Sequence, residues 1–309
     1  MRKSAVAICL SLSLSTAAAA AQIQSRYFLH GDGKLSLASG KGPAAFHGRY
    51  RNPDGTYSED AMRRINAIFS ARWGDPVLGV SPRLIEFIDY LQDRFDPNAL
   101  VTITSGFRSP EHNTRLRDRV ALAARASLHQ YGMAADLWIK GVPSKCIWEA
   151  IRDDGLGGAG YYHGRNVHVD VGPARFWDET SSGVDTDASL NNRLIGLVAD
   201  RDIYLPGEQI ELRFIRMTAF PIGLRPEMRL EAQDKKGRWK KAEEFSPAIA
   251  AEGKPCVSMA SVRDMAGIGW PLPERLGPGR YRAVASFCDN DYEGMPSEVA
   301  SPEFEVRAR

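Results

Sequence analysis

Residues 127–136 read S-L-H-Q-Y-G-M-A-A-D, and residues 166–170 read N-V-H-V-D. The second segment is short and alternates polar with β-branched residues, the pattern of a strand. Side chains alternate across a strand, so Asn166, His168 and Asp170 are expected on one face. Ala134–Ile139 reads as a neighbouring strand carrying Asp136, and His129 falls in the loop that leads into it. Such a sheet can bring His129, Asp136 and His168 together. Two imidazoles and a carboxylate suit one divalent ion, and zinc fits that donor set. Three protein ligands leave a fourth position for water. Zinc lowers the pKa of such a water to about 7 and polarises a carbonyl, so the residues predict metal-assisted hydrolysis.

Outward from this pair the first half mixes helices and strands. Ser58–Phe69 has Met62, Ile65 and Phe69 at helical spacing. A second helix starts after Ser81, which can cap it. Pro82 suits its first turn, and Leu84, Ile85, Phe87, Ile88 and Leu91 form its apolar face. Leu100–Thr104 reads as a strand ending in S-G-F-R-S-P. Glu111–Ala126 reads as a helix whose Arg115, Arg117, Arg119 and Arg125 form a solvated face, and Ser144–Arg152 as another helix. G-L-G-G-A-G at 155–160 reads as a turn before the Asn166–Val171 strand. These elements predict an α+β domain with a small antiparallel sheet.

The second half has short strands and turns. In R-L-I-G-L-V-A-D-R-D-I-Y-L-P-G-E-Q-I-E-L-R-F-I-R, from Arg193, Pro206 and Gly207 make the turn and Ile210, Leu212 and Phe214 alternate with polar residues. This half predicts an all-β immunoglobulin-like sandwich. The polar stretch 179–192 reads as a linker. The expected organisation is a signal at 1–21, a first domain at 22–178, the linker, and a β-domain at 193–309. Each domain is expected to form its own core.

Arg2, Lys3, the apolar run Ala5–Leu14 and the small residues Ala19–Ala21 form an export signal cleaved before Gln22. The run is too short to span a bilayer, which needs about 20 residues, and no other transmembrane candidate is visible. The chain has 40 Lys and Arg against 38 Asp and Glu, and loss of Arg2 and Lys3 with the signal leaves 38 of each sign. A neutral mature chain argues against nonspecific binding to nucleic acid or anionic lipid. Export favours a disulfide, and Cys256 with Cys288 is the expected pair, although spacing alone does not fix connectivity. Cys146, in K-C-I-W-E-A-I, reads as a buried, inert free thiol. Nothing in the sequence speaks to oligomeric state.

Ser127, His129, Gly132, Ala134 and Asp136 match the S-x-H-x-x-G-x-A-x-D signature of zinc D-Ala-D-Ala metallopeptidases, a superfamily that includes lysostaphin-type endopeptidases and the hedgehog signalling domain. The chain more closely resembles the YcbK-like murein endopeptidase branch, from about Tyr27 to Trp177. The resemblance rests on G-D-G-K-L-S-L, S-G-F-R-S-P, A-S-L-H-Q-Y-G-M-A-A-D, G-A-G-Y-Y-H and V-H-V-D-V-G-P-A-R-F-W. It implies a hedgehog/D-Ala-D-Ala peptidase-like fold and one Zn2+ per chain on His129, Asp136 and His168. It also implies hydrolysis of peptidoglycan stem peptides in the periplasm, or else outside the cell. Cross-link endopeptidase is the favoured activity and D,D-carboxypeptidase the variant.

The resemblance places Arg108 beside the substrate, where a guanidinium can stabilise the oxyanion formed at a peptide carbonyl. Ser105 and Ser109 shape its loop. Many relatives have H-x-H where this chain has Asn166, and neutral Asn cannot be a general base. Asp170 and His163 are the candidates for that role, and Asp170 can instead orient a ligand His. The missing His sustains a second reading, an inactive metal-binding cell-envelope module. His30, His47 and His112 read as structural or exposed, and Trp138, Trp148 and Trp177 as packing. The β-domain could bind wall, bind a partner or act as a spacer.

Overall fold

Helix α1 (Glu59–Ile68) starts where the Ser58 hydroxyl accepts a hydrogen bond from the Ala61 N–H at 3.4 Å, a side-chain N-cap. It buries Met62, Ile65 and Ile68 along one stripe. Helix α2 (Pro82–Phe95) has its proline in the first turn, but the Ser81 side chain makes no capping hydrogen bond. The backbone carbonyl of Ser81 serves instead, accepting from Leu84 N at 2.9 Å. Helix α3 (Ser144–Asp153) follows Pro143. The computed structural model describes residues 25–109, 126–180, 189–247, 254–288 and 292–308. The export signal, nearly all of the expected Glu111–Ala126 helix with its arginines and His112, and most of the linker lie outside the described residues. Among the described residues, no helix is long and apolar enough to cross a membrane.

Besides its apolar face, α2 buries Glu86, Asp89 and Gln92. Glu86 pairs with Arg51 and accepts from the Tyr57 hydroxyl at 2.9 Å. Asp89 Oδ2 accepts from Gly33 N at 2.9 Å and Tyr50 OH at 2.8 Å, while Asp89 Oδ1 has no partner among the described residues. Burial, reinforced by the nearby charges of Asp93 and Glu86 against those two hydrogen bonds, pushes the Asp89 carboxyl up to about 7. The folded state therefore holds the Asp89 proton more tightly than the unfolded chain. This contribution to stability is full below the ordinary carboxylate pKa and is lost as pH rises through about 7. Acidifying from pH 8 to 6 should raise the melting temperature, and Asp89→Asn should flatten that slope. A slope unchanged in the Asn variant would remove Asp89 as its source.

The first half forms one seven-stranded sheet of β1 (Lys34–Ser39), β2 (Ala45–Arg49), β3 (Val101–Ser105), β4 (Ala134–Ile139), β5 (Gly158–Tyr161), β6 (Val167–Asp170) and β7 (Arg175–Asp178), in the order β2-β1-β3-β4-β6-β5-β7. The sheet is mixed, since β1–β3 and β5–β7 pair in parallel. This corrects the expected small antiparallel sheet: β1, β2 and β7 extend it at both edges. Half of the glycine-rich 155–160 segment is strand β5 rather than turn. The helices and the sheet enclose a core that includes Leu35, Met62, Leu84, Ile103, Leu137 and Val169.

The second half is all β: β8 (Gly196–Ala199), β9 (Ile203–Tyr204), β10 (Gln209–Ile215), β11 (Ile222–Leu224), β12 (Met228–Gln233) and β13 (Trp239–Phe245), then β14 (Val257–Met259), β15 (Ile268–Pro271), β16 (Gly279–Ser286), β17 (Glu298–Ala300) and β18 (Phe304–Val306). They form sheets ordered β15-β10-β8, β11-β14 and β13-β12-β16-β18-β9, with β17 on β16. Cys256 and Cys288 are disulfide-bonded. Cys146, on α3, is buried as expected and is disulfide-bonded, which corrects the expectation of a free thiol.

The halves touch extensively. Arg83 of α2 pairs with Asp202 and donates to the Ala199 carbonyl at 2.9 Å. Arg26 donates to Glu208 at 2.6 Å, and Phe28 N to Asp202 at 3.0 Å.

Candidate metal centre

The registers of β3, β4 and β6 build the site. Asp136 on β4 stands opposite His168 on β6, and Ser105 at the end of β3 stands opposite Asp136. His129 sits in a short 3-10 turn, Leu128–Tyr131, closed by Gly132 at φ 63°. A side chain at Gly132 would collide with the Gly79 carbonyl, so the motif glycine answers both to the left-handed backbone and to close packing. Gly106 is constrained by packing, since a Cβ there would lie 2.6 Å from the Phe69 backbone.

Three atoms converge: His129 Nε2, His168 Nδ1 and Asp136 Oδ1, separated by 3.1, 3.3 and 3.4 Å. A tetrahedral ion with bonds of about 2.0–2.1 Å needs ligand atoms about 3.3–3.4 Å apart. The donor set thus fits zinc in spacing as well as in type. All three residues are buried.

The outer nitrogen of each ring is also engaged. His129 Nδ1 lies 2.7 Å from the Gly106 carbonyl, and His168 Nε2 lies 3.1 Å from Asp170 Oδ2. Carbonyl and carboxylate oxygens only accept, so each outer nitrogen carries a proton. The inward nitrogen of His129 is left with its lone pair. Burial lowers the His129 pKa, favouring that neutral ring. Burial opposes the charged form of His168 as well, but hydrogen bonds with Asp136 and Asp170 outweigh it and raise its pKa. Burial also opposes ionisation of Asp136, yet the charges and hydrogen bonds of His129 and His168 hold it well below the ordinary range. His168 Nδ1 and Asp136 Oδ1 face one another at 3.1 Å across the ground that a cation would occupy.

Around these three, the expected residues divide. Arg108 Nη2 donates to Asp136 Oδ2 and to Ser105 Oγ, both at 2.9 Å. Asp170 is fully buried and sits behind His168: its Oδ2 also accepts from Arg175 at 2.9 Å, and its Oδ1 from Gly172 N at 3.0 Å. Against burial, the His168 hydrogen bond and the Arg175 charge bring Asp170 down to about 2. His163 is exposed, and its Nε2 lies 2.6 Å from Asp178 Oδ1. The Trp177 ring packs against His168 with centroids 4.8 Å apart, a packing role as expected.

Two neighbours were missed. Tyr162 donates to Asp136 Oδ1 at 3.3 Å. The available signal was its place in Y-Y-H, directly after the strand that pairs with the His168 strand. The Gly106 carbonyl, in S-G-F-R, has no side chain to announce it. A cavity of about 580 Å³ lies between the halves, bordered by Tyr57, Trp73, Arg83, Met133 and Arg213, and its walls do not include the three clustered residues. It is distinct from the candidate centre.

Comparison with known proteins agrees with this geometry. The family model for peptidoglycan L,D-endopeptidase MepK matches residues 34–177, which contain all three clustered side chains. The peptidoglycan L,D-endopeptidase MepK of Escherichia coli K12 is 33% identical over 122 residues, covering 39% of this chain and 67% of that protein. The probable MepK of Haemophilus influenzae is 32% identical over 150 residues, covering 47% of this chain and 70% of that protein. The chain belongs to the peptidoglycan L,D-endopeptidase MepK family.

Proposed function

We propose that this chain is an exported zinc-dependent peptidase that cleaves cross-links in periplasmic peptidoglycan, with the L,D-endopeptidase specificity that its relatives' name carries. The observation that supports this most is the inward-facing trio His129 Nε2, His168 Nδ1 and Asp136 Oδ1, with both rings tethered through their outer nitrogens. We read residues 22–178 as the peptidase domain, 179–192 as the linker and 193–309 as an immunoglobulin-like domain.

His129, Asp136 and His168 would hold one zinc ion, whose Lewis acidity polarises the scissile carbonyl and activates the attacking water. Arg108 is fixed by Ser105 and Asp136 at the edge of the trio. From there its guanidinium meets the negative charge that develops on the carbonyl oxygen. Asp170 is buried with both oxygens engaged, by His168, Arg175 and the Gly172 backbone, so it works as a positioning residue that orients His168. Removing such a partner weakens metal binding by about 10–100-fold. Asp170→Asn should show a loss of that size in chelator competition, and an unaltered affinity would leave Asp170 with a structural role only.

The function is tested on purified sacculi with and without chelator. New muropeptide fragments that disappear with chelator support the peptidase. Retention on sacculi without fragments supports the alternative of an inactive binding module, for which Asn166 is the motivating residue.

A further inference from the structure

The turn that carries His129 is packed by the C-terminal half rather than by the sheet it leads into. Leu128, Tyr131, Met133 and Ala134 are buried in an apolar cluster whose other buried members run from Ile195 to Val306. The change falls within β4, because the next residue, Ala135, belongs to the core of the first half. Without the C-terminal half, Leu128 just before His129, and Tyr131 and Met133 between His129 and Asp136, would lose apolar cover, and apolar side chains so placed favour rearrangement.

Polar contacts fix the same turn. Arg213 of β10 donates Nη1 to the Tyr131 carbonyl at 2.9 Å, with its guanidinium carbon 5.3 Å from the Tyr131 ring centroid. Met217 N donates to the Tyr131 hydroxyl at 3.0 Å. One residue is thus held at its backbone and at its side-chain tip by neighbouring residues of one segment. Arg216, at φ 58°, brings its guanidinium against Gly172, beside Asp170. Arg213, Arg216 and Met217 all lie beyond residue 177, where the family match ends.

We propose that the C-terminal β-domain is a positioning element of the metal centre. Arg213 and the Met217 backbone hold Tyr131, and through it the turn that presents His129 Nε2. Metal affinity in this chain then depends on residues that lie outside the matched peptidase region. The inference rests on His129, Asp136 and His168 being the ligands.

The test uses the full chain. Arg213→Met keeps the apolar stem and removes the donor, Arg213→Lys keeps one donor, and Tyr131→Phe removes the acceptor of Met217 N. Zinc dissociation constants are measured by chelator competition, alongside the melting temperature of each metal-free protein, with His129→Ala as control. Arg213→Met should bind zinc about 10–100-fold more weakly, with most of the affinity recovered in Arg213→Lys. A merely structural contact would lower the metal-free melting temperature and leave the zinc constant unchanged, and that result overturns the proposal. If Arg213→Met fails to fold, Tyr131→Phe decides: weakened zinc binding supports the brace and unchanged binding rejects it. Stoichiometric zinc in folded His129→Ala would refute the ligand reading itself, a failure distinct from that of the brace.

Discussion

His168→Ala in the full chain should lose stoichiometric zinc and reduce peptidoglycan hydrolysis by about three orders of magnitude or more. A bound metal supplies several kcal/mol of transition-state stabilisation, and about 1.4 kcal/mol corresponds to tenfold in rate. The effect is large because the site has three candidate donors and their inward atoms are already 3.1–3.4 Å apart. No spare imidazole or carboxylate is grouped with them among the described residues. His129→Ala and Asp136→Ala should behave alike. Metal content by elemental analysis, measured on protein whose folding is verified by its melting transition, checks the prediction. Full zinc occupancy in folded His168→Ala would reject the assignment.

Arg108→Lys should fold and bind zinc, yet turn over on the order of a hundredfold more slowly, as when one oxyanion donor is lost. Arg108 places Nε and Nη2 on Ser105 Oγ at 3.0 and 2.9 Å while Nη2 also reaches Asp136. An ammonium is a point charge and cannot make that fork. The loss should fall on kcat rather than on substrate binding, because the charge it meets exists only in the transition state. Unchanged turnover on sacculi would remove Arg108 from the chemistry.

The centre was more legible than the sheet around it. Strand β6 alternates cleanly, and the register that sets Asp136 of β4 opposite His168 of β6 puts both side chains on one face. From sequence, strand β5 reads as a turn because Gly158 and Gly160 have no side chains with which to signal a strand, and glycine is depleted there. Gly160 owes its place to the Trp177 ring, which a Cβ would strike. The parallel pairing of β1 with β3 joins segments separated by two helices, so no local pattern announces it. The polar stripe of α2 interrupts no apolar spacing, and its burial depends on Arg51, Tyr50 and Gly33 arriving from elsewhere in the chain. Tyr131 falls among the unspecified positions of the His129 motif, and its partners Arg213 and Met217 belong to the other half of the sequence.

The most direct measurement of the central claim is an anomalous difference map across the zinc absorption edge, from crystals of the zinc-loaded full chain. The account predicts one strong peak in contact with His129 Nε2, His168 Nδ1 and the Asp136 carboxylate, with Asp170 behind His168 and not bonded to the ion. A peak held by other residues, or none at the trio in protein that carries stoichiometric zinc in solution, would contradict it.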